Sequence, residues 1–126
     1  MKLLSIVVPC FNSEGFMGTC IESLLKGGEA VEIIIIDDGS KDRTGEIADE
    51  YCAKYPTIVK VVHKENGGHG SGINSGLKVA TGKFFKVVDS DDRLDENGLK
   101  EILKFLQSVV DENKELDMLL SNYVCD

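Results

Sequence analysis

The sequence has 126 residues, of which 42% are hydrophobic and 29% charged, a composition typical of one soluble globular domain rather than a fibrous or disordered chain. Acidic residues outnumber basic ones by 22 to 14, and the net charge of -8 argues against nucleic acid or an anionic membrane as a partner. The four cysteines show no C-x-x-C spacing, which excludes the common zinc and dithiol motifs and favours a reduced, cytoplasmic location.

Apolar runs rich in valine, isoleucine and phenylalanine predict the strands. They scarcely alternate with polar residues, as is typical of parallel strands covered on both faces. The predicted strands are Ser5–Val8, Val31–Ile36, Ile58–Val62, Phe84–Val88 and Met118–Tyr123. The first run is short and ends at Pro9, so it is interpreted as a strand and not as a signal peptide.

Helical spacing of apolar residues predicts a helix after each of the first four strands. The first helix has an apolar face formed by Phe16, Met17, Cys20, Ile21, Leu24 and Leu25, and ends at Gly27-Gly28. The others run from the cap residue Asp42 to Pro56, from Ile73 to Ala80 and from about Asp95 to Val110. This alternation predicts one α/β domain over residues 1–126, with a mostly parallel sheet flanked by helices and a ligand site at the carboxyl edge of its strands.

Polar segments follow each of the first four predicted strands. They are Pro9–Ser13, Asp37–Ser40, His63–Gly72 and Asp89–Asp92. Any one of them alone is explained more simply as a helix cap or a turn. Because the carboxyl ends of parallel strands meet at one edge of a sheet, we expect all four segments to converge on one crevice.

The segment Asp89-Ser90-Asp91-Asp92 places three carboxylates within four residues. Their mutual repulsion favours a bound hard cation, Mg²⁺ or Mn²⁺, with Asp89 and Asp91 as ligands, although a solvated turn is the alternative. An EF-hand is excluded, because Leu94 and Lys100 occupy its glycine and bidentate glutamate positions.

The glycine-rich segment Gly67–Gly72 does not have the spacing of a dinucleotide-binding motif or a P-loop. We interpret it as a flexible loop that exposes its backbone and closes over phosphates. His63 and His69 have no visible partner in the sequence and are interpreted as solvated loop residues rather than catalytic ones.

Together these motifs resemble the family 2 glycosyltransferases of GT-A fold, and the resemblance spans essentially the whole chain. It is carried by Ser5–Asn12, Ile34–Thr44, Asn66–Gly68 with Asn74 and Gly76, and Asp89–Asp92. Each motif is moderately specific alone, but the four in this order and spacing are strongly specific together. The resemblance implies a Rossmann-like nucleotide-diphospho-sugar transferase fold, which this chain follows through its donor-binding half.

The resemblance also implies an activity: transfer from a nucleotide-sugar, most often a UDP-sugar, to the hydroxyl of a saccharide or lipid-linked acceptor, usually with inversion. Asp38 would bond the base, and Asp89 and Asp91 would form the D-x-D pair, with Asp91 as the more direct ligand of Mg²⁺ or Mn²⁺. The implied nucleotide-binding residues are Pro9, Phe11, Asn12, Asp38, Asn66, Gly67, Asn74, Asp89 and Ser90. The full-length protein is expected in the cytoplasm or at the inner face of the membrane.

Two departures from the family pattern affect these expectations. Gly72-Ile73 stands where many members have Ala-Arg, so a positive contact is missing. The family places its catalytic base beyond the position of Asp126, so we expect this chain to be the donor-binding part of a longer enzyme, with little turnover by itself. The alternatives are a non-catalytic nucleotide-sugar-binding module and a nucleotidyltransferase. The latter is less well supported, since Pro9–Asn12 is not the glycine-rich basic loop that such an enzyme needs.

Overall fold

The computed structural model describes residues 2–112, which form a four-stranded parallel sheet with helices on both faces. The strands are β1 (Leu4–Cys10), β2 (Val31–Asp38), β3 (Val59–Lys64) and β4 (Phe84–Val87). The helices are α1 (Met17–Leu25), α2 (Thr44–Lys54), α3 (His69–Val79) and α4 (Glu96–Asp111), with a 3₁₀ turn at Gly28–Ala30. The predicted α/β class and parallel sheet are confirmed, whereas the strand predicted at Met118–Tyr123 lies outside the described residues.

The strand order β3-β2-β1-β4 locates the crevice of the sheet. The chain moves outward from β1 to β3 and then returns to the other side of β1 to form β4. Val7 in β1 therefore pairs with Ile34 on one side and with Val87 on the other. Ligands of open α/β sheets bind at such a switch point, beyond the carboxyl ends of the strands. Here that point lies beyond Cys10 and Val87.

Alternate residues of β1 face two different layers. Leu4, Ile6 and Val8 are buried in a core that also contains apolar residues of α1, α2 and α4. Val7 lies in a smaller cluster with Ile34 and Ile36, on the face that α3 covers. The order of elements explains this division, because the crossover from β3 to β4 runs in the opposite direction to the first two and must pass over the opposite face if it is right-handed.

Close packing of α3 on the sheet explains a glycine inside that helix. Gly76 is buried, and a Cβ atom added there would lie 2.6 Å from Val7 Cγ1. Gly72, one turn earlier, faces Ile36 and Pro9 at ordinary contact distances. The helix can approach β1 this closely only because position 76 has no side chain.

Three predictions about the helices differ from the structure. The helix predicted from Ile73 begins four residues earlier, at His69, so the flexible loop predicted over the glycine-rich segment is wrong for residues 69–72. Phe16, predicted on the buried face of α1, is the N-cap residue and is 43% exposed. Asp42 is not the cap of α2, because Arg43 occupies that position, but its carboxylate accepts a hydrogen bond from the first helical N–H, that of Thr44.

A buried carboxylate joins the elements at the amino end of the sheet, opposite the crevice. Glu32 accepts hydrogen bonds of 2.8 Å from Ser5 Oγ, from Thr81 N and from Thr81 Oγ1, and its Oε2 lies 2.6 Å from Lys60 Nζ. These contacts attach the turn before β4 to β1 and β2. Within residues 2–112, no helix is long and apolar enough to cross a membrane.

Candidate functional site

Three carboxylates meet directly after β4. Asp89, Asp91 and Asp92 each offer an oxygen, and these oxygens lie within 4.8 Å of one another. A backbone hydrogen bond of 3.0 Å from Asp92 N to Asp89 O closes the turn that gathers them. Burial and the charges of Asp91 and Asp89 raise the pKa of Asp92. An all-oxygen donor set of this kind fits a hard divalent cation such as Mg²⁺ or Mn²⁺.

The carboxylate turn is attached to the rest of the domain through Ser90 and Cys20. The Ser90 side chain is buried, and its hydroxyl lies 2.9 Å from that of Ser13. The Cys20 thiol, on α1, donates to Asp89 O at 3.6 Å. Ser90 was predicted to bind the nucleotide. Its hydroxyl instead contacts Ser13, and this contact positions the carboxylate turn within the protein.

Asp38, at the end of β2, organises the loop between β3 and α3. Its Oδ1 accepts hydrogen bonds from Lys64 Nζ at 2.7 Å and from Gly67 N at 2.9 Å, and its Oδ2 accepts one from Gly68 N at 3.1 Å. Burial alone would raise the pKa of Asp38, but the Lys64 ammonium and the two backbone N–H groups outweigh it and lower that pKa. The carboxylate is therefore ionised at neutral pH.

Asn12 joins the loop after β1 to the turn after β2. Its backbone has a φ of 49°, a left-handed conformation that asparagine adopts more readily than most residues. The side-chain Oδ1 accepts a hydrogen bond of 2.8 Å from Lys41 N, and the backbone N–H donates to Ser40 Oγ at 3.0 Å. Asn12, predicted to border a nucleotide, thus fixes two walls of the crevice relative to each other.

An open pocket of about 220 Å³ lies between these loops. Its lining residues are Pro9, Cys10, Phe11, Asp38, Asn66, Gly68, His69 and Gly72. Pro9, Phe11, Asp38 and Asn66 were predicted from the sequence. Cys10, Gly68, His69 and Gly72 were not predicted as binding residues. For His69 and Gly72 the reason is that the glycine-rich segment was interpreted as a loop and not as the start of a helix.

Other predicted nucleotide-binding residues lie near this pocket without lining it. Gly67 donates its backbone N–H to Asp38, as described above. Asn74 is exposed on α3, beyond the turn that contacts the pocket.

Gly39 lies in the turn after β2. It has a φ of 73°, and an added Cβ atom would lie 2.7 Å from Asn66 N. The turn after β2 therefore requires glycine at position 39.

Both histidines have carboxylate partners, which corrects the interpretation of them as solvated loop residues. His63 lies between Asp37, whose Oδ2 is 3.0 Å from Nδ1, and Asp49, whose Oδ1 is 2.8 Å from Nε2. Hydrogen bonds that its ring donates to the Asp49 and Asp37 carboxylates raise the pKa of His63. His69 Nε2 lies 3.0 Å from Asp89 Oδ1, within the carboxylate cluster.

Comparison with known proteins decides the family. The model of the family described as "Glycosyl transferase family 2" matches residues 5–111. The chain belongs to glycosyltransferase family 2. Glycosyltransferase GlyG of Streptococcus pneumoniae is 37% identical over 124 residues, which cover 97% of this chain and 39% of that protein. The uncharacterized glycosyltransferase EpsJ of Bacillus subtilis is 46% identical over 93 residues, 73% of this chain and 27% of that protein.

Solved structures confirm the GT-A fold for this family 2 chain. Residues 1–349 of S. aureus TarS in complex with UDP align with a TM-score of 0.75 and 34% identity, over 86% of this chain and 32% of that one. A mannosyltransferase from Pyrobaculum calidifontis, in complex with GDP-Man and Mn2+, aligns with a TM-score of 0.73 at 20% identity and supports the fold alone. The chain thus spans between about a quarter and two fifths of the length of the relatives described here.

Proposed function

We propose that this chain binds the nucleotide-sugar donor of a glycosyl transfer reaction through Mg²⁺ or Mn²⁺ held by Asp89 and Asp91. One observation carries the proposal: His69 lines the same pocket as Asp38, and its Nε2 lies 3.0 Å from Asp89 Oδ1 of the carboxylate cluster. A diphosphate has to connect a base in the pocket with a metal ion at the cluster, and the short distance between the pocket and the cluster supports this.

The free acceptor capacity of Asp38 favours a base with an N–H group on its pairing edge. Oδ1 already accepts two hydrogen bonds, whereas Oδ2 accepts one, from Gly68 N. A carboxylate has about four acceptor sites, so one position remains at Oδ2. Uracil, whose N3–H can donate to it, fits this requirement, and the similar TarS structures in complex with UDP and UDP-GlcNAc support UDP-sugars as the donor class.

Neighbouring residues suit the remaining parts of such a donor. The side chain of Phe11 is 49% exposed at the pocket and offers an aromatic ring for stacking on a base. When bound, the divalent ion would stabilise the negative charge on the departing diphosphate. Asp91 and Asp89 would hold that ion, so an acidic chain could bind an anionic donor.

The resemblance to the family supports transfer to a saccharide or lipid-linked acceptor hydroxyl with inversion at the anomeric carbon. We place the reaction in the cytoplasm, at the inner face of the membrane when the acceptor is lipid-linked. Within residues 2–112, Cys10, Cys20 and Cys52 are not joined in disulfide bonds, which supports a reducing compartment.

Calorimetry with UDP, with and without Mn²⁺, tests the proposal. We expect wild-type binding to require the ion, and Asp91→Asn to weaken it by about tenfold or more, since the substitution removes a charged ligand. Asp111→Asn is the matched control, because this carboxylate lies at the far end of α4 and bonds Gln107. Metal-independent UDP binding that Asp91→Asn leaves unchanged would refute the proposal.

A further inference from the structure

We infer that His69 is a positioning residue of the metal site: its imidazole N–H orients the Asp89 carboxylate toward the cation and links the nucleotide pocket to it. This inference rests on the function proposed above, because it assigns a residue to the same site. It concerns a contact that the sequence motifs did not indicate.

The backbone around His69 directs its side chain to the cluster. Gly68, the residue before α3, has a φ of 89°, which turns the chain sharply into the helix. His69 is the first helical residue, and its Nε2 lies 3.0 Å from Asp89 Oδ1, a hydrogen-bond distance. The Nε2–H tautomer donates to the carboxylate.

The hydrogen bond from His69 matters because the three carboxylates of the cluster repel one another. Like charges on Asp89, Asp91 and Asp92 favour rotamers that separate the carboxylates, whereas a shared cation requires them to converge. A hydrogen bond donated to Asp89 fixes its carboxylate in place and offsets part of that repulsion. Groups that bond metal ligands in this way typically change metal affinity by 10- to 100-fold when they are removed.

Two other residues near the pocket, Lys64 and Ile73, do not supply this contact. The Lys64 ammonium lies 2.7 Å from Asp38 Oδ1 and also donates to Glu65 O. Ile73, four residues after His69 on α3, has no polar side-chain atom that could bond the cluster. Among the described residues that line the pocket, His69 has the side chain that bonds the carboxylate cluster.

Two substitutions separate hydrogen bonding from bulk. His69→Ala removes the donor, and His69→Gln retains an N–H group at a position similar to Nε2. Titration of Mn²⁺ at saturating UDP, followed by calorimetry and by the electron paramagnetic resonance of the free ion, should show about 10- to 100-fold weaker Mn²⁺ binding in His69→Ala. In His69→Gln most of the affinity should return. Without metal, none of the three proteins should bind UDP measurably, as the proposed function requires.

His63→Gln and Lys78→Ala serve as matched controls. His63 also bonds two carboxylates, but these are Asp37 and Asp49, outside the cluster. Lys78 lies nine residues farther along α3, about 13 Å from His69 along the helix axis. Both variants should bind Mn²⁺ as wild type does. Because the side chain of His69 is 60% exposed, its replacement should leave the melting temperature unchanged.

The outcomes separate this inference from the proposed function. If wild-type protein shows no Mn²⁺-dependent UDP binding, both fail. If wild type binds and His69→Ala binds Mn²⁺ equally well, the role of His69 is refuted while the proposed function stands. Weaker UDP affinity of His69→Ala at saturating Mn²⁺, with an unchanged affinity for Mn²⁺, would also refute it, because His69 would then act only as part of the pocket wall. Failure of His69→Gln to restore binding would exclude the hydrogen bond as the cause.

Discussion

The hydroxyl of Ser90 lies 2.9 Å from the hydroxyl of Ser13, although 77 residues separate the two in the chain. Ser13 belongs to the loop after β1, and its backbone carbonyl accepts the N–H of Met17 at the start of α1. Ser90 belongs to the carboxylate turn after β4. The contact therefore joins the two sides of the switch point at which the site lies.

Replacement of either serine by alanine tests this connection. We expect Ser13→Ala and Ser90→Ala to be non-additive, with a coupling energy of about 0.5–1.5 kcal/mol, the usual contribution of a buried hydrogen bond. Urea unfolding of the single and double variants measures it. Ser75→Ala is the control, because Ser75 Oγ bonds Ser71 O within α3, and its effect should add to that of Ser90→Ala. Strict additivity of Ser13→Ala and Ser90→Ala would show that the two hydroxyls do not interact.

Asp38→Asn should destabilise the domain and weaken nucleotide binding. An amide has one acceptor oxygen in place of two, so it cannot satisfy Lys64 Nζ, Gly67 N and Gly68 N together. We expect a loss of about 1–3 kcal/mol in the free energy of unfolding, measured in urea. Asp95→Asn is the control, since Asp95 accepts one backbone N–H as the N-cap of α4 and asparagine caps equally well. Equal stability of the two variants would contradict this assignment.

The sequence was sufficient to predict the sheet and the convergence of the strand ends. The runs at Val31–Ile36 and Phe84–Val88 place apolar residues on both faces, interrupted by Glu32 and Lys86, and this pattern favours a covered parallel sheet. The carboxylate cluster was also predictable, because its three aspartates lie within four residues of one another in the sequence.

The start of α3 and the partners of the histidines were not predictable in the same way. Gly70 and Gly72 have poor helix propensity, so the local signal favoured a loop there. Tertiary packing overrides it, since Gly76 allows α3 to lie against Val7. His69 meets Asp89 only through that placement of the helix. The contact joins residues 20 apart on different elements, and no local pattern encodes it.

Gly76→Ala and Gly70→Ala should change stability in opposite directions. A Cβ atom at position 76 would lie 2.6 and 2.7 Å from the two γ carbons of Val7, and such overpacking costs about 1–3 kcal/mol. A Cβ atom at position 70 meets nothing within 4 Å, so alanine there should stabilise α3 by up to about 1 kcal/mol. Thermal unfolding of both variants measures the difference. Stabilisation by Gly76→Ala would show that α3 lies farther from β1 than described.

Glu32 should make stability depend on pH in the acid range. Burial alone would raise the pKa of Glu32, but its bonds to Lys60, Thr81 and Ser5 outweigh burial and lower the pKa from 4.5 to about 2. Because the folded state favours the ionised form, this stabilisation is fully present above pH 4.5 and is lost as the pH falls toward 2. The shift corresponds to a free energy on the order of 3 kcal/mol.

Urea unfolding at several pH values, from neutral pH down to about 2, measures how the lowered pKa of Glu32 affects stability. Glu32→Gln should be less stable than wild type at neutral pH, because it leaves Lys60 without a carboxylate, and its stability should fall less steeply below pH 4.5. Glu101→Gln, an exposed substitution on α4, should follow the wild-type curve. If Glu32→Gln instead loses stability in parallel with wild type as the pH falls, protonation of other carboxylates accounts for the acid sensitivity.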